Sequence, residues 1–385
     1  MRTSERFRAL PAYPLAGMKE VRRRIEAEGV DVIDLGTGDA QLDPPPRVVE
    51  RLREVAGDMT YSRYGFQAGL PELRQAIADW MRIRFGVRVD PSAEIVPLIG
   101  SKEGIAHLPF ALVGPGDVGV VPDPGYQAYL GGVTLAGGEP HLVRLERENE
   151  FLIPLDALPS AVAARTRILY LNYPNNPTTA VAPDDYYRSA IDFCHRHGAV
   201  LVHDHAYSEI AFDGYRPRSV LELDGARDVA IEFHSFSKTY NMTGWRLGWA
   251  VGNAELVGAL TRVKTFVDTG GYLGIQAAGV AALESWADWV PGNVATFRRR
   301  RDAAVAAFRR AGFDVACPRA TMYVWIPVPG GGGSEAFARR ALEEAGVIVL
   351  PGASLGKGGE GFFRLALTVP EHRLEDAAGR LGALT

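Results

Sequence analysis

Short apolar runs rich in β-branched residues alternate with longer amphipathic stretches from about residue 94 onward. This alternation is typical of helices that separate strands buried on both faces of a largely parallel sheet. It predicts strands at 94–100, 117–122, 141–145, 168–172, 199–203, 229–234 and 247–252, with helices at 71–85, 184–197 and 254–267. The last strand follows its predecessor too closely for a crossover helix, so we expect it to be antiparallel. The predicted fold class is α/β, with a mixed, mostly parallel seven-stranded sheet.

The pattern changes after about residue 285. A long helix at 294–310, followed by strands at 314–317, 323–327, 347–350 and 362–368, predicts a smaller α+β domain, and the glycines at 330–333 predict a flexible loop. Three prolines at 44–46 mark a boundary, because proline continues neither a helix nor a strand ladder. We therefore predict an N-terminal segment (1–45) that joins the small domain, a large domain (46–285) and a small C-terminal domain (286–385).

Composition argues against several classes of protein. The net charge is −4 with no basic tail, which disfavours nucleic-acid binding, and no apolar run reaches the roughly 18 residues that span a bilayer. The first ten residues, MRTSERFRAL, lack the apolar core of a secretion signal, and only two cysteines occur. We expect a cytoplasmic protein that has neither a membrane nor a nucleic acid as partner.

One lysine, Lys238, lies in an unusual stretch, SFSKTYNMTGWR at 235–246. Hydroxyl groups surround it, and Arg246 follows eight positions later. Hydroxyls and a guanidinium fork can hold a dianionic phosphate, and a neighbouring lysine can form an imine with an aldehyde on the same cofactor. The stretch therefore suggests pyridoxal 5′-phosphate. A surface lysine near a turn is the local alternative.

Polar residues follow the predicted strands, where ligands of open parallel sheets bind. Ser101 and Lys102 open a helical pattern and could bind phosphate, while Tyr126 could stack on a pyridine ring and Asn176 could donate to a ring oxygen. Locally, each also fits an ordinary role, as a helix cap or a turn residue.

Asp204 ends another predicted strand and could pair with a protonated pyridine nitrogen, and Tyr207 could contact the phenolic oxygen of the same ring. The string His203, Asp204 and His205 also looks like metal ligands. Strand alternation puts the two histidines on one face and the aspartate on the other, so we predict no metal site.

Together these motifs resemble the fold-type I pyridoxal-phosphate enzymes, specifically the class I/II aminotransferases. The strings SFSKTYNMTGWRLG (235–248) and NYPNNPT (172–178) carry the resemblance, which runs from DLGTGD (34–39) to FRLALT (363–368). It implies that the large domain binds the cofactor, with Lys238 as the imine-forming lysine and general acid/base. The other implied cofactor residues are Asp204 on the pyridine nitrogen, Tyr207 and Asn176 on the phenolic oxygen, Tyr126 on the ring face, and Ser101, Lys102, Ser235, Ser237 and Arg246 at the phosphate.

The resemblance also implies substrate contacts. Arg364 matches the arginine that binds the substrate α-carboxylate, and Gly38 matches a backbone contact to the same group, with Asn176 beside them. Tyr64 matches a tyrosine that reaches the phosphate in the partner subunit, which implies a homodimer with shared active sites.

The activity implied is transfer of an amino group between an α-amino acid and a 2-oxo acid by a ping-pong route through the imine of Lys238, as part of amino acid metabolism. The strings GSKEGIAH (100–107) and AFDGY (211–215) look most like LL-diaminopimelate aminotransferases, so LL-diaminopimelate and aspartate-type substrates are candidates. Departures are Thr179 where glycine is usual, His205 where a small residue is common, and Phe66-Gln67 where an acid is expected. The alternatives are a C–S lyase, another fold-type I enzyme, or a pyridoxal-phosphate-binding module without turnover.

Overall fold

The computed structural model describes residues 2–11 and 18–385. Its strands form a large sheet and two smaller ones. In chain order the strands are β1 (Ile33–Asp34), β2 (Ile95–Leu98), β3 (Val118–Asp123), β4 (Glu139–Arg144), β5 (Thr166–Leu171), β6 (Val200–Asp204), β7 (Ala230–Ser235), β8 (Gly248–Gly252), β9 (Tyr323–Pro327), β10 (Val347–Ile348), β11 (Leu350–Pro351) and β12 (Phe362–Ala366).

Helices of very different lengths connect these strands. They are α1 (Glu5–Arg8), α2 (Met18–Ala27), α3 (Pro46–Val55), α4 (Pro71–Phe85), α5 (Ser101–His107), α6 (Pro109–Leu112), α7 (Gln127–Ala136), α8 (Ser160–Ala163), α9 (Asp184–His197), α10 (Ala226–Val229), α11 (Phe236–Thr239), α12 (Ala254–Val267), α13 (Leu273–Glu284), α14 (Trp286–Arg310), α15 (Ser334–Ala345) and α16 (Glu371–Gly382). The predicted helices at 71–85, 184–197 and 254–267 are confirmed at both ends.

The large sheet has seven strands in the order β2-β8-β7-β6-β5-β3-β4. Strand β8 is antiparallel to both of its neighbours, and the remaining pairs are parallel. This confirms the predicted reversal of β8, whose connection to β7 is too short for a crossover. All residues of β3, β7 and β8 are buried.

Alternate residues of the sheet feed two apolar cores, one on each face. Leu169 and Leu201 belong to one core, while Ile168 and Val202 belong to the other. Each such side chain contributes about 1.5–3 kcal/mol by leaving water. Because helices cover both faces, the polar ends of the strands are the part of the sheet open to a ligand.

A second region contains the antiparallel sheet β11-β12-β9 and the parallel pair β1 and β10. Its own core includes Phe297, Phe308 and Phe363. Strand β1 comes from the predicted N-terminal segment, and Ile33 pairs with Val347 of β10. Residues 1 and 12–17 of that predicted segment lie outside the described residues. The division into three parts stays a prediction.

The second region also corrects two predicted strands. No strand forms at 314–317, where the carbonyl oxygen of Val315 accepts hydrogen bonds from Nε and Nη2 of Arg309 (2.9 and 2.7 Å) instead of from a neighbouring strand. The predicted strand 347–350 divides into β10 and β11, which pair with different partners. The predicted helix at 294–310 begins earlier, at Trp286, and contains Pro291.

Across the described ranges, no helix is both long enough and apolar enough to cross a membrane. Cys194 is a buried free thiol and Cys317 an exposed one. Neither cysteine therefore contributes a covalent constraint to the fold.

Candidate active site

A cavity of about 330 Å³ opens at the carboxyl ends of the large sheet's strands, where the second region meets them. Twelve of the thirteen residues predicted for the site line it. They are Gly38, Ser101, Lys102, Tyr126, Asn176, Asp204, Tyr207, Ser235, Ser237, Lys238, Arg246 and Arg364. Four of these side chains are cationic and one is a carboxylate, so the lining suits an anionic ligand.

Lys238 lies on α11, a single helical turn directly after β7. The hydroxyl of Ser235 caps this turn by accepting from the backbone N–H of Ser237 at 3.1 Å. The ammonium group of Lys238 is partly buried and donates to the carbonyl oxygen of Gly38. The strand end and its cap thus present one amine to the cavity.

Asp204 ends β6 and is 6% exposed. Its Oδ2 accepts from the hydroxyl of Tyr129 at 2.7 Å, and its carbonyl oxygen accepts from Nδ2 of Asn172 at 2.7 Å. Its Oδ1 is buried and has no hydrogen-bond partner among the described residues. Burial raises the pKa of the Asp204 carboxyl, and the bond from Tyr129 opposes that rise.

A buried acceptor without a partner costs about 1–3 kcal/mol. The protonated nitrogen of a pyridine ring would donate to Oδ1 of Asp204 and remove that cost. The residues present therefore fit pyridoxal phosphate at this end of the cavity.

Hydroxyls and a guanidinium gather at another part of the cavity, from Ser101, Ser235 and Arg246. A Cβ atom on Gly100, which has φ +75°, would lie 2.2 Å from Nη2 of Arg246. Only a glycine therefore lets the guanidinium lie across the turn between β2 and α5. Nη1 of Arg246 donates to the carbonyl oxygen of Thr243 at 3.0 Å, which uses one of its five N–H groups. This group of donors suits a phosphate.

Arg364, on β12, is held from two sides. Its Nη1 donates to Oδ1 of Asn176 and its Nη2 to the carbonyl oxygen of Gly36, both at 2.8 Å. Its buried Nε has no partner in the part of the chain that the structure describes. A guanidinium with fixed orientation and remaining N–H groups matches the bidentate geometry of a carboxylate.

Two of the tyrosines that line the cavity, Tyr126 and Tyr207, were predicted for the site. Tyr207 is buried, and its hydroxyl donates to that of Tyr323 at 3.2 Å. Burial raises the pKa of Tyr207 well above its ordinary value. The ring of Tyr126 lies 5.6 Å from the ammonium of Lys102 and contacts the ring of Tyr129 edge to face at 5.8 Å.

Tyr64 is the predicted residue that the structure does not bring to the cavity of its own chain. It is 76% exposed and stacks beside Phe66 with ring centroids 6.3 Å apart. Its predicted role in a partner subunit stays a prediction.

Several lining or supporting residues were missed in the sequence, among them Asn172, Tyr129 and Tyr323. Asn172 was placed only as the end of a strand, yet its Oδ1 also accepts from the backbone N–H of Asn176 at 2.8 Å. Tyr129 follows Tyr126 by three positions in a helical pattern, a spacing that indicates a shared face. Tyr323 stands in a short apolar strand and carries no local signal.

The histidines beside Asp204 lie on the opposite face of the sheet, as alternation predicts. Nδ1 of His203 lies 2.8 Å from Oε2 of the buried Glu232, which also bonds to His234 Nε2 at 2.7 Å. The hydroxyl of Ser219 (2.9 Å) and the backbone N–H of Val220 (3.0 Å) donate to the same carboxylate. Four hydrogen bonds occupy the oxygens of the Glu232 carboxylate, so these side chains form a buried hydrogen-bond network.

Comparison with known proteins places this geometry in a family. The family described as aminotransferase class I and II matches residues 30–381. The LL-diaminopimelate aminotransferase of Desulforudis audaxviator is 49% identical over 98% of this chain and 96% of its own. That of Dehalococcoides mccartyi is 46% identical over 99% and 98%.

Solved structures agree with the sequence comparison. A substrate-bound BacF structure from Bacillus subtilis superposes with a TM-score of 0.94 at 34% identity, covering 100% of this chain and 98% of that one. A probable N-succinyldiaminopimelate aminotransferase from Thermus thermophilus gives 0.91 at 37% identity, covering 96% and 99%. The chain therefore belongs to the class I and II aminotransferases, which use pyridoxal phosphate.

Proposed function

We propose that this aminotransferase binds its pyridoxal phosphate through Lys238 and takes LL-diaminopimelate as amino donor, with a 2-oxo acid as acceptor. The observation that carries the catalytic part is the convergence of Lys238, Asp204 and Arg364 on one cavity. The substrate part is supported by the names of the relatives from D. audaxviator and D. mccartyi.

Each residue has a distinct task in this proposal. The amine of Lys238 would hold the cofactor through its aldehyde, and during turnover the same amine would move the proton at the substrate Cα. Asp204 keeps the pyridine nitrogen protonated, and Arg364 binds the α-carboxylate that amino acids and 2-oxo acids share. The bound cofactor supplies the electron-accepting ring.

The catalytic part is tested by Lys238→Ala. This variant should lose the visible absorbance of lysine-linked cofactor and almost all amino transfer, whereas Lys357→Ala, at an exposed lysine outside the cavity, should keep the absorbance. Near-wild-type turnover in Lys238→Ala would overturn the assignment.

The substrate part is tested by a panel of donors assayed with 2-oxoglutarate: LL-diaminopimelate, aspartate, alanine and aromatic amino acids. LL-diaminopimelate should have the highest kcat/KM. A higher kcat/KM for another donor would contradict the proposed substrate and favour that donor instead. Release of pyruvate and ammonia without amino transfer would indicate a lyase.

We further propose a cytoplasmic homodimer in which Tyr64 completes the partner's phosphate site. Two exposed aromatic side chains, Phe66 and Tyr272, line one surface pocket together with Tyr64 and support a contact surface there. Coexpression of Tyr64→Ala with Lys238→Ala chains should restore activity, because one of the two shared sites in the mixed dimer is intact.

The matched control is coexpression of Asp204→Ala with Lys238→Ala chains. Both changes fall in the cavity of a single chain, so no mixed dimer gains an intact site. Equal activity in the two coexpressions would contradict shared sites.

A further inference from the structure

Tyr323 lies in the cavity but belongs to none of the site motifs of the sequence. It begins β9, and the register pairs Trp325 of that strand with Arg364 of β12. Side chains two apart on a strand point to one face, so Tyr323 shares a face with Arg364. The centroid of its ring lies 4.0 Å from the guanidinium carbon of Arg364, a cation–π contact. The guanidinium carbon therefore lies over the face of the Tyr323 ring.

The other end of the same side chain contacts a different part of the site. The Tyr323 hydroxyl accepts the hydrogen bond of Tyr207. A Cβ atom on Gly38 would lie 2.3 Å from this hydroxyl, so a glycine is needed there for the tyrosine to fit. Because Tyr323 is 3% exposed and has only two rotatable side-chain bonds, it forms a rigid connection between Arg364 and Tyr207.

Charge supports the direction of this hydrogen bond. Burial alone would raise the pKa of Tyr323, but Arg364, Lys238 and the hydrogen bond from Tyr207 together outweigh burial and bring the pKa below its ordinary value. Nearby cations thus stabilise negative charge on the Tyr323 oxygen. An oxygen in such a field is a good acceptor for the hydroxyl of Tyr207.

We propose that Tyr323 is a positioning residue with two separable roles. Its ring holds the plane of Arg364 for the α-carboxylate of both substrates. Its hydroxyl is the partner of Tyr207 until the phenolic oxygen of the cofactor takes that hydrogen bond. The proposal rests on the proposed function, since it requires the cofactor and carboxylate sites assigned there.

The hydroxyl role is tested with Tyr323→Phe by thermal unfolding of the full chain with and without pyridoxal phosphate. Without cofactor, Tyr207 loses its partner, and Tm should fall by about 1–3 °C relative to wild type. With cofactor, Tyr207 regains a partner and the deficit should largely disappear. A purely structural hydroxyl would give the same deficit in both states, which would overturn this role.

The ring role is tested by comparing Tyr323→Phe with Tyr323→Leu, which removes the aromatic face; Tyr323→Met replaces the leucine variant if that one does not fold. The phenylalanine variant should keep KM for the amino and the 2-oxo acid within about twofold of wild type. The variant without a ring should raise both by roughly tenfold. A rise for one substrate alone, or an equal rise in both variants, would contradict the ring role.

These results remain distinguishable from failure of the proposed function. If the wild-type chain bound no pyridoxal phosphate, the proposed function itself would be wrong. If the wild-type chain bound the cofactor and Tyr323→Phe showed the same deficit in Tm with and without it, only the role of the Tyr323 hydroxyl would be wrong.

Discussion

The carboxylate of Asp204 is hydrogen-bonded on one oxygen only: the hydroxyl of Tyr129 donates to Oδ2 at 2.7 Å, and Oδ1 has no partner among the described residues. Tyr129 is itself fully buried and stacks on Tyr170 at 4.8 Å. This stacked, buried pair of tyrosines thus holds one carboxylate oxygen in place and leaves the other able to accept a hydrogen bond, which we propose comes from the cofactor ring.

Tyr129→Phe should weaken cofactor binding. A hydrogen bond to a charged group contributes about 1.5–3 kcal/mol, so the dissociation constant of pyridoxal phosphate should rise about 10- to 100-fold. Titration of pyridoxal phosphate into the apoprotein measures this dissociation constant. Tyr170→Phe is the control, because its hydroxyl makes only a 3.5 Å contact with a backbone carbonyl. Equal constants for the two variants would contradict the role of Tyr129.

Gly100→Ala should weaken phosphate binding specifically. The added Cβ would lie 2.2 Å from Arg246 Nη2, which forces the guanidinium away. Gly198→Ala is a matched control, since Gly198 also has a positive φ (+60°) but no atom within 4 Å of the added Cβ. Both variants should lose stability through backbone strain, while only Gly100→Ala should lose cofactor affinity. Cofactor affinity retained in Gly100→Ala would show that cofactor binding does not depend on the present position of the Arg246 guanidinium.

Arg364→Lys should reduce kcat/KM for every amino acid and 2-oxo acid by about 100-fold. The charge remains, but the fork that meets Asn176, Gly36 and a carboxylate is lost. Steady-state kinetics over a donor panel check this. A loss of kcat/KM confined to donors with one kind of side chain would place Arg364 at the distal end of the substrate.

His205 should make the protein sensitive to acid. Burial holds its pKa at about 3, below the ordinary 6.5, so its ring is neutral in the folded protein. Nδ1 lies 3.6 Å from Oε1 of Glu232, beyond hydrogen-bond distance. The unfolded chain binds the extra proton as pH falls below about 6.5, so stability present at pH 7 is lost on acidification, by up to about 1.4 kcal/mol per pH unit.

The measurement is the free energy of unfolding between pH 5 and 7 for wild type and His205→Ala. Removal of the imidazole leaves a hole that should lower the free energy of unfolding at every pH. The slope of this free energy against pH should be shallower than in wild type. The difference in slope reports on His205 alone, because Glu232 and the other histidines are common to both proteins. His372→Ala, at an exposed histidine, should keep the wild-type slope. An unchanged slope in His205→Ala would mean that His205 is charged when folded.

The sequence predicts the large sheet well, because its strands are continuous apolar runs separated by clear helical patterns. It predicts the site for a related reason: Asp204 and Lys238 stand where strands end, and such ends converge at one edge. It predicts the second region less well. The predicted strand at 314–317 does not form, because the side chain of Arg309 donates to the carbonyl oxygen of Val315 that a neighbouring strand would have used. Tyr323 enters the site through pairing between strands, which local pattern does not reveal.

The most direct test of the account is to reduce the cofactor-loaded protein with borohydride and map the modified peptide by mass spectrometry. Reduction makes an imine link permanent, so the phosphopyridoxyl group should be found on Lys238. Modification of another lysine, with Lys238 unmodified, would contradict the central claim that this cavity holds the cofactor through that amine.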